Sequence, residues 1–163
     1  MPFTVVSASG KLPVWVKEGC DNYEKRLPGD YAIQWIDLPL SSRSKKRSSA
    51  NTKKVETERL VNAIPRKSFV IALDERGEAL TTRDLSGRIA LNLQRHSRLC
   101  FVIGGPDGLD FDVKKASAGN AGWADFVWSL SPLTFPHTVV RLLLPEQLYR
   151  AWSVNAGHPY HRD

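Results

Sequence analysis

The sequence predicts an α/β domain in which a mostly parallel sheet is flanked by helices. Three observations carry that prediction. The runs SFVIAL (68–73) and LCFVI (99–103) are apolar without polar alternation, as strands covered on both faces are. Between such runs the apolar residues recur every three or four positions, which is the helical period. Strand-like and helix-like segments also alternate along the chain, the order that crossover connections in a parallel sheet require. At 163 residues the chain suits one domain spanning 1–163, and no internal repeat is visible.

FTVVSA at 3–8 is a short β-branched run that reads as the first strand, and Leu12, Val16, Cys20, Tyr23 and Leu27 after it mark an amphipathic helix. YAIQWIDL (31–38) alternates as a second strand. SSRSKKRSSANTKK (41–54) carries six positive charges and only Ala50 as an apolar residue, so it reads as an exposed, mobile loop. From Val55 the spacing of Leu60, Val61 and Ile64 predicts a helix ended by Pro65. SFVIAL then gives a third strand, and Gly77 in ALDERGEAL predicts a turn beginning at Asp74. Thr81 with Asp84 three residues on forms a helix-start signature ahead of the stripe Leu85, Ile89 and Leu93. LCFVI is the fourth strand and DFVWSL (125–130) the last, with a poorly patterned stretch around DFDVKKASAGNAGWAD between them. The apolar-rich 137–155 reads as a long final helix, which Pro145 should kink or restart. A restart would place Glu146 near a new N-terminus.

Composition narrows the function classes. Apolar residues make up 42% and charged residues 25%, close to globular averages, which argues against global disorder. Lys and Arg exceed Asp and Glu by 23 to 17, a bias toward polyanionic partners such as nucleic acid. Cys20 and Cys100 have no CxxC spacing, there is no membrane-length apolar run, and the start lacks a secretory pattern. These features point to a cytoplasmic protein with free thiols, no membrane association and no metal.

Three strand ends have the chemistry of binding loops. GGPDGL (104–109) follows LCFVI directly; adjacent glycines let the backbone approach a ligand, and open α/β sheets bind ligands beyond the carboxyl ends of strands. Its spacing matches neither GxGxxG nor a phosphate loop, and a plain tight turn explains it equally well. LSPLTFPH (130–137) combines a proline-stiffened backbone with small hydroxyls, which suits main-chain recognition of a flat heterocycle; a simple strand-to-helix connection is the alternative. The third is the end of SFVIAL at Leu73.

The remaining candidates lie at the C-terminus. Arg141 sits in an apolar helical run and should be half buried, so it needs a partner: either an acid such as Glu146 in a structural ion pair, or an anion in a catalytic role. AGHPYHRD (156–163) gathers His158, Tyr160, His161 and Arg162. Only the two histidines are close enough to share a metal, short of the three or four ligands zinc requires. A frayed end and an ordered part of a site both remain open.

Taken in order, LDERGEAL, VIGGPDGL, WSLSPLTFPH, VVRLLLPEQLYRAW and HPYHR resemble the RlmH-type ribosomal RNA large-subunit methyltransferases of the SPOUT superfamily, over essentially the whole chain. The resemblance implies a SPOUT-type domain with a C-terminal trefoil knot and a homodimer. The implied activity is S-adenosyl-L-methionine-dependent N3-methylation of a pseudouridine in a hairpin loop of 23S rRNA within the ribosome. Carried over by position, it implies cofactor binding by Leu73, Gly104, Gly105 and the loop Leu130, Ser131, Pro132, Leu133, Thr134, Phe135 and Pro136. It also implies catalytic positions at Arg141, His158, Tyr160 and Arg162, with the tail at the reaction centre across the dimer interface. On that footing the basic stretch 41–54 either contacts RNA phosphates or is a solvated linker. Two other classes compete: a non-catalytic RNA-binding module, and a nucleotide-dependent α/β enzyme.

Overall fold

A computed structural model describes residues 3–42, 48–114 and 122–162. Among the described residues, five strands form one sheet in the order β2-β1-β4-β3-β5, and every strand pairing is parallel. In chain order the elements are β1 (Phe3–Ala8), α1 (Val14–Glu24), β2 (Ile33–Leu38), α2 (Ser49–Ala63), β3 (Phe69–Ala79), α3 (Thr82–Arg95), β4 (Leu99–Ile103), β5 (Phe126–Ser129) and α4 (His137–Asn155), with a 3₁₀ turn at Gly29–Tyr31 between α1 and β2.

Alternate residues of the strands feed two cores, which is why these strands read as unbroken apolar runs. Leu99, Phe101 and Ile103 of β4 join Phe3, Ile71, Leu85, Ile89, Leu144 and Leu148 under α3 and α4. Cys100 and Val102 face the other way, against Leu60, Val61, Val70 and Trp123 beneath α2. Helix α3 begins with the capping box its sequence predicts: the Asp84 amide donates to Thr81 Oγ1, and the Asp84 carboxylate accepts from the Thr81 amide. Leu85 and Ile89 are buried and Leu93 is partly so.

Three elements depart from the sequence reading. The basic stretch does not stay a loop through residue 54: Ser48 Oγ accepts from the Asn51 amide and starts α2 at Ser49, while residues 43–47 of that stretch lie outside the described residues. The part of α2 ahead of the helix predicted from Val55 was hidden because its buried face opens with Thr52, Glu56 and Thr57, polar residues that a hydrophobic period does not count. The poorly patterned stretch also falls partly outside them, at 115–121.

Gly77 does not make a turn that ends β3. Leu73 and Glu78 both pair with Trp128 of β5, so residues 74–77 bulge out while the strand resumes beyond them. A side chain at position 77 would place its Cβ 2.6 Å from the Val127 carbonyl oxygen, so the bulge closes only over glycine.

Helix α4 runs unbroken through Pro145 rather than restarting there. Proline at 145 removes the N–H that would bond the Arg141 carbonyl, four residues back. That carbonyl accepts instead from the Cys20 thiol of α1, at 3.6 Å. Burial pushes the Cys20 thiol up to about 11, partly opposed by the nearby Arg141 charge, so it remains a protonated donor.

Candidate functional site: a cavity lined by three turns

Leu73 of β3 is in register with Ile103 of β4 and with Trp128 of β5. β3 therefore bulges at the level where β4 and β5 end, so three turns meet: the bulge of β3 and the turns that follow β4 and β5. They line a single cavity of about 630 Å³, within the range of small-molecule sites. Leu73, Gly104 and Gly105 line it, and so do Leu130, Ser131, Leu133, Thr134, Phe135 and Pro136 of the third turn. Of the residues assigned to the cofactor from sequence, only Pro132 is not in the lining.

The glycine turn is a tight loop in which the Gly108 amide donates to the Gly105 carbonyl at 2.9 Å. Gly104 and Gly105 are required by close packing behind the turn. A Cβ at Gly104 would lie 2.8 Å from the Gly108 carbonyl oxygen, and one at Gly105 would lie 2.6 Å from Glu56 Oε2. Glu56 is buried on α2; its Oε1 accepts from the Ser41 amide at 2.7 Å, while Oε2 has no partner among the described residues. The third turn is held from within and without. Ser129 donates to the Ser131 carbonyl, the Leu133 amide donates to Ser131 Oγ, and the Thr134 hydroxyl donates to Glu75 Oε2 at 2.5 Å.

The bulge of β3 brings Asp74, Glu75 and Arg76 to the cavity, none of which was singled out from sequence as a site residue. Arg76 grips Asp74 through two parallel hydrogen bonds of 2.8 and 2.9 Å and reaches the Leu109 carbonyl at 3.1 Å, tying the bulge to the glycine turn. Burial alone would raise the Asp74 carboxyl; the Arg76 hydrogen bonds and charge, with help from Lys53, hold it below the usual carboxylate value. Lys53, His137 and Val140 also line the cavity and were likewise missed as site residues. Lys53 fell within the stretch read as a loop, where nothing in its pattern marked a cavity wall.

The four positions assigned to catalysis lie elsewhere in the chain. Arg141 is buried, forks onto both carboxylate oxygens of Asp37 on β2, and stacks 3.8 Å from the Trp35 ring centroid. Its partner is thus an acid, as one reading required, but Asp37 rather than Glu146. Glu146 instead pairs with Arg150 at 2.5 Å and accepts from the Tyr160 hydroxyl at 3.1 Å.

The tail is ordered against the C-terminal half of α4. The His158 amide donates to the Ser153 carbonyl at 2.8 Å, and the His158 ring packs near Trp152 and Tyr149. Tyr160 packs on Tyr149, with ring centroids 4.5 Å apart. His161 Nδ1 lies 3.4 Å from an Arg150 nitrogen, and Arg162 is exposed. Burial pushes the Tyr160 phenol up, and its neighbours Tyr23 and Glu146 reinforce the shift, so it stays a neutral donor.

None of these tail residues lines the cavity of their own chain. Val140 at the cavity and Trp152 beneath the tail are twelve residues apart on one helix, about 18 Å at roughly 1.5 Å per residue.

A family described as "Predicted SPOUT methyltransferase" matches residues 1–161. Among curated relatives, the chain is 39% identical to the "Ribosomal RNA large subunit methyltransferase H" of Thioalkalivibrio sulfidiphilus over 100% of both chains. Relatives of the same name from Hydrogenovibrio crunogenus and Ralstonia pickettii are 40% identical over 94% of each chain and 41% identical over 99% of each.

Proposed function

The chain belongs to the SPOUT methyltransferase family, and from that premise we propose that it transfers a methyl group from S-adenosyl-L-methionine to N3 of a pseudouridine in a hairpin loop of 23S rRNA, acting on the assembled ribosome as a homodimer in the cytoplasm. The observation that carries this reading is the convergence of the β3 bulge and the turns after β4 and β5 on one cavity, because their exposed main-chain groups suit an adenine ring and its ribose. Leu73, Trp128, Leu130 and Val140 give the cavity apolar surface for the heterocycle, and its charged side suits an amino-acid end. The C-terminal trefoil knot of the family belongs to the same reading.

S-adenosyl-L-methionine supplies a methyl already made electrophilic by its sulfonium. The protein's part is to align the base with that methyl and to manage the N3 proton. Alignment alone is worth up to about 7–11 kcal/mol in favourable intramolecular cases. Because the tail lies about 18 Å along α4 from its own cavity, the reading places His158, Tyr160 and Arg162 at the cavity of the partner subunit. There Arg162 stabilises negative charge developing on the ring oxygens. His158 takes the proton, since a phenol pushed up as Tyr160's is serves better as a hydrogen-bond donor. Arg141, held by Asp37 and Trp35, acts by fixing α4 against β2. The cations of the 41–54 stretch other than Lys53 meet RNA phosphates, since α2 anchors one end of that stretch beside the cavity.

Mass spectrometry of ribosomal RNA from cells lacking the protein, before and after incubation with purified protein and S-adenosyl-L-methionine, tests the reading. One added methyl on the pseudouridine supports it. An unchanged RNA mass with correctly folded protein contradicts it.

A further inference from the structure

The cavity's charge is laid out unevenly. Lys53 and Arg76 face three acids, Asp74, Glu75 and Asp107, so the lining carries a net negative charge. Arg76 is committed to Asp74 through both carboxylate oxygens, and Glu75 is taken by the Thr134 hydroxyl. Lys53 stands near enough to influence Asp74 through space, yet among the described residues it makes no ion pair.

Its backbone is fixed. The Thr57 hydroxyl donates to the Lys53 carbonyl at 2.8 Å and accepts from the Asp110 amide at 3.0 Å, which fastens this turn of α2 to the exit of the glycine turn. The Ser41 amide on Glu56 holds the same helix face from the other side. A half-buried lysine on a fixed helix, beside an acid already neutralised by another cation, is built to meet an anion.

The methyl donor carries two cationic centres, its sulfonium and its ammonium, and one carboxylate. That pattern is the complement of a lining with an excess of acids and one uncommitted lysine. We propose that Lys53 receives the carboxylate of the donor, so that the α2 wall binds the amino-acid end while the 130–136 turn takes the heterocycle. The inference rests on the reading of the cavity as a methyl-donor site.

Calorimetry of the full-length protein with three ligands tests it. S-adenosylmethionine and S-adenosylhomocysteine carry the amino-acid end; methylthioadenosine lacks it. Lys53→Met should weaken the first two about tenfold, the low end for a hydrogen bond to a charged group, and leave methylthioadenosine unchanged. Lys53→Arg should keep most of the affinity, and Lys53→Gln repeats the neutral test if methionine alters folding. Equal weakening of all three ligands, or no weakening, overturns the assignment. So does a variant whose donor affinities are intact but whose RNA binding loses about one charge of salt dependence, which would move Lys53 to a phosphate. A wild-type protein that binds none of the three sinks the donor reading itself, which is a separate outcome.

Discussion

An alanine at position 105 would place a methyl carbon 2.6 Å from Glu56 Oε2 and 3.2 Å from a Leu40 methyl. The leucine can yield a few tenths of an ångström. The carboxylate cannot do so cheaply, because it is buried and its other oxygen is held by the Ser41 amide at 2.7 Å. Either Glu56 gives up that hydrogen bond or the glycine turn moves into the cavity. Overpacking of this kind costs about 1–3 kcal/mol, so urea unfolding of Gly105→Ala should show a lower midpoint at an unchanged slope. Displacement of the turn should also weaken S-adenosylmethionine binding by about tenfold or more, read by calorimetry. Glu56→Ala removes the obstacle, so the double variant should be more stable than the sum of the single changes predicts, by at least about 0.5 kcal/mol. Additive costs, or a Gly105→Ala protein with wild-type stability and donor affinity, would refute the close packing behind the turn.

Removal of Asp37 by alanine leaves the buried Arg141 without its carboxylate. The full cost of breaking a buried pair is about 3–5 kcal/mol, discounted here to about 1–3 kcal/mol because the Asp37 side chain is 41% exposed; chemical denaturation measures it. Asp74 has a depressed carboxyl in the folded protein, so its contribution is complete above the ordinary value of 3.8 and is lost as pH falls through the lower folded value. Unfolding midpoints followed down through that window should fall more steeply for wild type than for Asp74→Asn, and parallel curves would remove the Arg76 clamp as a source of stability. Cys20, buried with its thiol pushed up to about 11, and buried Cys100 should not react with a thiol reagent at neutral pH until the protein is unfolded; rapid modification of the native protein contradicts their packing.

What the sequence made legible follows from which physical signals it displays. LCFVI and the Thr81–Asp84 box each carry their own local determinant, and both stand where the pattern places them. Helix α2 hid its first turns because Thr52, Glu56 and Thr57 face inward through hydrogen bonds rather than apolar area. Gly77 looked like a turn because glycine marks any tight approach, and only the pairing of Leu73 and Glu78 with one Trp128 reveals a bulge. The cavity's main-chain surfaces could be read from glycines and prolines at strand ends. Its charged wall could not, since Lys53 and Asp74 meet only through the folding of α2 against β4's turn. The partner of Arg141 was equally out of reach, lying 104 positions away on the edge strand.

Amide hydrogen exchange with and without S-adenosylmethionine tests most directly whether the β3 bulge and the turns after β4 and β5 grip one ligand. Simultaneous protection of residues 73–76, 104–109 and 130–136, with the remaining strands unaffected, is the predicted result. Protection confined to one of these turns, or arising only elsewhere in the chain, would contradict it.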